Sequence, residues 1–106
     1  MIYVECRANA LVLYPSQRQF PLDQAASDKA GNPLVTAIEQ MILRRQSARR
    51  PNEPPYRPQL CLLVRPENVR AFLRAYRALE ALSVPITRRN LDPDDDVYSI
   101  VTGSNP

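Results

Sequence analysis

Arginine is the residue type with which this chain could do the most chemistry. Thirteen of its 106 residues are arginine against one lysine, Lys29, and the formal net charge is +3. A guanidinium stays charged in every setting and offers a planar fork to carboxylates and phosphates. Arg44, Arg45, Arg49 and Arg50 form the densest basic patch, with Arg57 just beyond and Arg88-Arg89 elsewhere. Those four are the candidate residues for binding a partner or an anion. A genomic base bias produces the same arginine excess without any function, and that plain reading comes first. Nucleic-acid binding would need several of these charges on one surface, and single-strand recognition would add stacking aromatics on a sheet. Tyr3, Tyr14 and Tyr98 are available for outward positions, yet no RRM aromatic signature accompanies them.

Other chemistry finds few residues. Histidine is absent, which removes the serine–histidine and cysteine–histidine nucleophile pairs. Lys29 sits in a polar segment where nothing desolvates it, so it reads as an exposed lysine. Asp92, Asp94 and Asp96 resemble the opening of a calcium loop, but Val97 stands where the glycine belongs and Gly103 where the bidentate glutamate belongs. A solvated turn is the better account. The glycines, Gly31 and Gly103, make no phosphate-cradling loop. Cys6 and Cys61 lie in no close-spaced metal pattern and read as buried small hydrophobes. A disulfide between them would need Cα atoms within about 7 Å, which spacing does not reveal. No catalytic residue, metal ligand or cofactor is therefore assigned, and no small-molecule ligand is evident.

Positioning these residues falls to one small domain, residues 1–102, with a frayed tail at 103–106. Ile2-Tyr3-Val4-Glu5-Cys6-Arg7 alternates with the period of a half-buried strand. Ala8-Asn9 turns the chain into a second strand, Ala10–Tyr14, and Gln19–Leu22 adds a short extended piece with Phe20 and Leu22 inward. Asn32-Pro33 opens a helix, asparagine capping it and proline entering its first turn. Its stripe is Leu34, Val35, Ile38, Met41 and Ile42. The four-proline stretch from Arg49 to Pro58 is a loop. The nearly continuous apolar run Gln59–Arg65 predicts a strand covered on both faces, at the sheet's centre. A second helix follows from about Glu67 to Ser83, its expected buried stripe being Val69, Phe72, Leu73, Tyr76, Leu79 and Leu82 or Ser83. Ile86–Arg89 and a last strand, Val97–Val101, complete the order β-β-α-β-α-β-β. The predicted fold is α+β, a two-layer sandwich of two helices on a four- or five-stranded mixed sheet. Ala10–Tyr14 and Val97–Val101 are the expected edge strands. The longest apolar runs fall far short of the roughly 20 residues that span a bilayer, so no membrane insertion is expected.

Leu60–Pro66, Val69–Leu82 and Val84-Pro85-Ile86 together resemble the extramembrane domain of ExbD/TolR-type biopolymer transport proteins, a hydrophobic strand, a helix and a short β segment in that order. The upstream hairpin and helix are similar in order too. Arg65-Pro66 stands where that family carries an acidic residue, and Ser83-Val84-Pro85 where it carries a helix-ending glycine. No residue here matches its membrane-embedded, proton-linked aspartate, so proton coupling is not carried over. The chain also resembles C-terminal domains of uncharacterised bacterial proteins. The resemblance implies a noncatalytic domain of a membrane-anchored bacterial protein that binds a partner or self-associates. The expectation is thus a binding or assembly module, with a protein partner or self-association favoured over nucleic acid. A nucleic-acid-binding domain with an arginine-rich face and a small enzyme with a hidden site are the alternatives.

Overall fold

The computed structural model describes residues 1–26 and 31–103; Lys29 and the tail beyond Gly103 lie outside the described residues. The strands are β1 (Ile2–Cys6), β2 (Ala10–Tyr14), β3 (Arg18–Pro21), β4 (Leu60–Val64) and β5 (Ile86–Asn90), and the helices α1 (Leu22–Ala25), α2 (Pro33–Ser47), α3 (Val69–Leu79) and α4 (Val97–Thr102). They build the expected α+β fold around one five-stranded mixed sheet ordered β3-β2-β1-β4-β5. β1 pairs antiparallel with β2 and parallel with β4, and β4 pairs parallel with β5 through the α3 connection. β4 is buried along its whole length, as its apolar run predicts, although the middle place belongs to β1. Ala10–Tyr14 is not an edge. β3 pairs along its outer side, because Phe20 needs the shelter that the face next to Leu11 provides.

Strand alternation sorts the side chains onto two faces. Ile2, Val4, Cys6, Leu11, Leu13, Phe20, Leu60, Leu62 and Val64 form the larger core with α1, α2 and α3. Cys6 lies in this core while Cys61 lies in the smaller cluster of the opposite face, and both are free thiols. Burial drives the Cys6 thiol up to about 12, with the Glu5 charge adding to the rise. It is held neutral and unreactive.

α2 begins as its sequence demands. The buried Asn32 side chain accepts from the N–H groups of Leu34 (2.9 Å) and Val35 (3.2 Å) and donates to the Ala25 carbonyl at 2.6 Å, so one residue caps α2 and ties it to α1. α3 is rotated from the expected stripe. Ala71, Phe72, Ala75, Ala78 and Leu79 are buried, while Leu73 (55% exposed) and Tyr76 (38%) are not. The alanines give the helix a low face that settles closely on bulky strand residues. A face led by Leu73 would have lifted it away.

The last element is a helix, which corrects the expected strand at Val97–Val101. Asp96 Oδ1 accepts from the Tyr98 N–H at 3.1 Å, and Gly103 ends the helix at φ 71°, the left-handed position that glycine takes without strain. Val97 and Ile100, with Val101 half-buried, then share one side at helical spacing. They cover Val12, Cys61, Leu63 and Leu91 on the second face of the sheet. The edges are therefore β3 and β5.

Candidate functional site

The four arginines singled out by their spacing converge only in part, and mostly serve the proline loop. Arg45 Nη1 donates to the Tyr56 hydroxyl at 3.2 Å, with its guanidinium 6.0 Å from that ring's centroid. Arg49 Nη1 donates to the Glu53 carbonyl at 2.9 Å, and Arg50 lies 3.9 Å from the Glu53 carboxylate. Arg44 turns back to the Gln40 carbonyl at 3.5 Å. Arg44 and Arg45 also line an open cavity of about 360 Å³ with Pro15, Ser16 and Met41. The arrangement stitches residues 49–56 onto the end of α2. Arg49 and Arg50 face that loop rather than joining Arg44 at the cavity.

A second polar cluster was not foreseen from the sequence. Glu5 is buried on the second face, where its Oε1 accepts from the Tyr14 hydroxyl at 2.8 Å and from Arg7 Nε at 3.2 Å. Tyr14 is not outward-facing, as expected, but buried. Its hydroxyl is shifted above the ordinary value of 10.0, first by burial and then by the hydrogen bond to Glu5 and that group's charge. The Glu5 bond in turn holds Arg7 more firmly protonated. The cluster borders a cavity of about 330 Å³ that Arg65, Asp95 and Tyr98 also line. Arg65 there donates to the Asp92 carbonyl at 2.9 Å and the Asp95 carbonyl at 3.2 Å. Within the acidic run, Asp95 Oδ2 accepts from the Asp92 N–H at 2.8 Å and Asp96 caps α4. These carboxylates are engaged in holding the turn. A local signal for the Glu5–Tyr14 pair is lacking, since the two meet diagonally across the β1–β2 register in which Tyr3 faces Tyr14 and Glu5 faces Val12.

The third grouping joins α3 to β5. The Arg88 guanidinium stacks 4.6 Å from the Phe72 centroid, its Nε donating to Asn90 Oδ1 at 2.7 Å. Tyr76 tilts against Phe72, ring centroids 5.9 Å apart. Leu73 and Tyr76 stand on the solvent side of α3 beside Arg70 and Arg77. Among the described residues, Arg70, Arg77 and Arg89 enter no ion pair. Arg74 reaches Asp23 at 3.5 Å across a cleft of about 560 Å³, lined also by Asn9 and Arg70. The signal in the sequence was the arginine series at 70, 74 and 77, but its neighbours Leu73 and Tyr76 read as core.

No family model, curated protein or solved structure matches this chain. Among the described residues no helix is long and apolar enough to cross a membrane.

Proposed function

We propose that this chain is a non-enzymatic protein-binding or assembly module whose contact surface is the α3–β5 side. The observation that carries this reading is the exposure of Leu73 and Tyr76 next to Arg70 and Arg77, which enter no ion pair among the described residues. Aromatic residues and arginine are the types enriched where proteins meet, and the apolar part of such a patch gains most from being covered. The resemblance to ExbD/TolR-type extramembrane domains points the same way, toward a tethered domain that engages a partner. The nucleic-acid alternative draws less support. Tyr14 is buried against Glu5, and Arg45, Arg49 and Arg50 are engaged with the proline loop.

Site-specific photocrosslinking tests the reading. With benzoylphenylalanine replacing Leu73, irradiation of cells producing the protein should give discrete protein adducts. The same replacement at exposed Glu39 on α2 should give none. Equal yields at both positions, or none at Leu73, would remove the exposed face of α3 from the contact surface.

A further inference from the structure

We infer that the outer edge of β5 is a docking strand for an acidic, extended segment of a protein partner. The inference rests on the α3–β5 side being the contact surface and names the chemistry it receives. In a parallel pair, alternate residues of each strand bond to the neighbour and the others point away. The Leu60 N–H donates to the Pro85 carbonyl at 2.9 Å, and the Leu91 N–H to the Val64 carbonyl at 2.7 Å. Pro85, Thr87, Arg89 and Leu91 therefore turn toward β4. The N–H and C=O groups of Ile86, Arg88 and Asn90 face outward along an edge that no strand covers among the described residues.

The opposite edge is closed to such pairing. The Leu22 N–H donates to the Asn9 carbonyl at 2.9 Å, and the register then turns Phe20 and Arg18 toward β2. Gln19 and Pro21 face outward, and proline has no N–H to offer. β3 thus presents a strand partner with the Gln19 donor alone, whereas each outward residue of β5 presents both groups.

Charge selects the occupant. Arg88 and Arg89 are consecutive, so their side chains leave the strand on opposite faces of the sheet. A strand added to β5 would meet a guanidinium on each face, which two consecutive carboxylates match. Arg88 is held in place over Phe72, while Arg89 has no ion-pair partner among the described residues. On the helix side, exposed Tyr76 offers apolar contact to the same strand. A second copy of β5 fits less well. Antiparallel self-pairing centred on this strand sets Arg88 against Arg88, and like charges placed opposite are destabilising. Charged edge residues are also a common guard against unwanted pairing. An acidic strand is the partner for which the guard becomes an attraction.

The test titrates the full chain with an eight-residue, β-branched synthetic peptide bearing Glu-Asp at its centre. Amide hydrogen exchange is read residue by residue. Exchange should slow at Ile86, Arg88 and Asn90, with Thr87 and Arg89 little changed because their N–H groups already face β4. A peptide with Lys-Arg at its centre should bind at least about fivefold more weakly, and Arg89→Glu should cost the acidic peptide a similar factor, most visibly at low salt. Arg89 is exposed, so the variant should keep the wild-type unfolding midpoint, and a peptide N-methylated at alternate residues should not bind. Equal binding of the N-methylated peptide, protection at Gln19 instead of β5, or protection that grows with protein concentration without peptide would each overturn the inference. Crosslinks at Leu73 without protection of β5 would reject the acidic strand and leave the contact surface standing. Protection of β5 without crosslinks at Leu73 would keep the docking strand and move the contact surface off α3.

Discussion

The same strands line both faces of the sheet, but the two faces protect their contents by different means. On the first, the fifteen-residue α2 and the eleven-residue α3 cover a continuous apolar layer, anchored at Asn32 by bonds to two helical N–H groups and a neighbouring carbonyl. On the second, the six-residue α4 covers a smaller cluster, and a buried carboxylate held by Tyr14 and Arg7 completes it. A helix this short has little stability of its own and depends on packing and its cap. The contrast teaches that the second face should open locally, well before the molecule unfolds.

The largest test truncates one isoleucine on each side. Ile38→Ala removes a fully buried side chain of α2 and should cost about 2–5 kcal/mol in urea unfolding. Ile100→Ala on α4 should cost no more than about 1.5–3 kcal/mol, the transfer free energy alone, because a short helix can settle into the space. Equal losses would erase the distinction. The caps come next. Asn32→Ala should destabilise by about 2 kcal/mol, since it frees two N–H groups and strands the Ala25 carbonyl. Asp96→Ala should lower global stability by about 0.5–1 kcal/mol.

Thiol labelling then sharpens the comparison kinetically. Cys6 and Cys61 are buried, one per face, so Cys61 should react with a thiol reagent faster than Cys6 under native conditions. Asp96→Ala should quicken Cys61 about fivefold and leave Cys6 at its global-unfolding rate. Simultaneous labelling of both would show that α4 does not open independently. The last effect is invisible at neutral pH. Cys6 is raised from 9.0 to about 12 and Tyr14 above 10.0, so the folded state binds each proton more tightly than the unfolded state. That stability is complete below the unfolded values and is lost as pH rises through the folded ones. Urea midpoints should decline from about pH 9. Cys6→Ala should flatten the first part of the decline, and Tyr14→Phe only the part above about pH 10.

Much of the fold was legible because it is written locally. The alternation of Ile2–Cys6, the Asn32-Pro33 helix start and the apolar run at β4 each declare themselves within a few residues. Two of the misreadings share a cause. Val97–Val101 satisfies a strand's period of two and a helix's i, i+3, i+4 spacing alike, and five residues are too few to separate them. In α3, Leu73 and Tyr76 and the alanines at 71, 75 and 78 offer two rival stripes. The alanine face wins only because the strands beneath it are already bulky. The candidate surface was less legible still. Arg44, Arg45, Arg49 and Arg50 stood out by adjacency, yet adjacency let several of them reach their own loop. Arg88, by contrast, is brought by the fold against Phe72 of α3, a neighbour sixteen positions away that its local sequence does not announce.

By itself the amino-acid sequence determined where β1, β2 and α2 begin, that Asn32 caps α2 and that one mixed sheet would carry the strands. Those choices depend on backbone preferences and on periodicities within a single segment. Tertiary structure alone decided the helical state of residues 97–102, the rotation of α3, the burial of Glu5 with Tyr14 and which strand was left with an open edge. Each depends on what lies across the sheet or above it, and burial and register are collective properties that no segment encodes on its own.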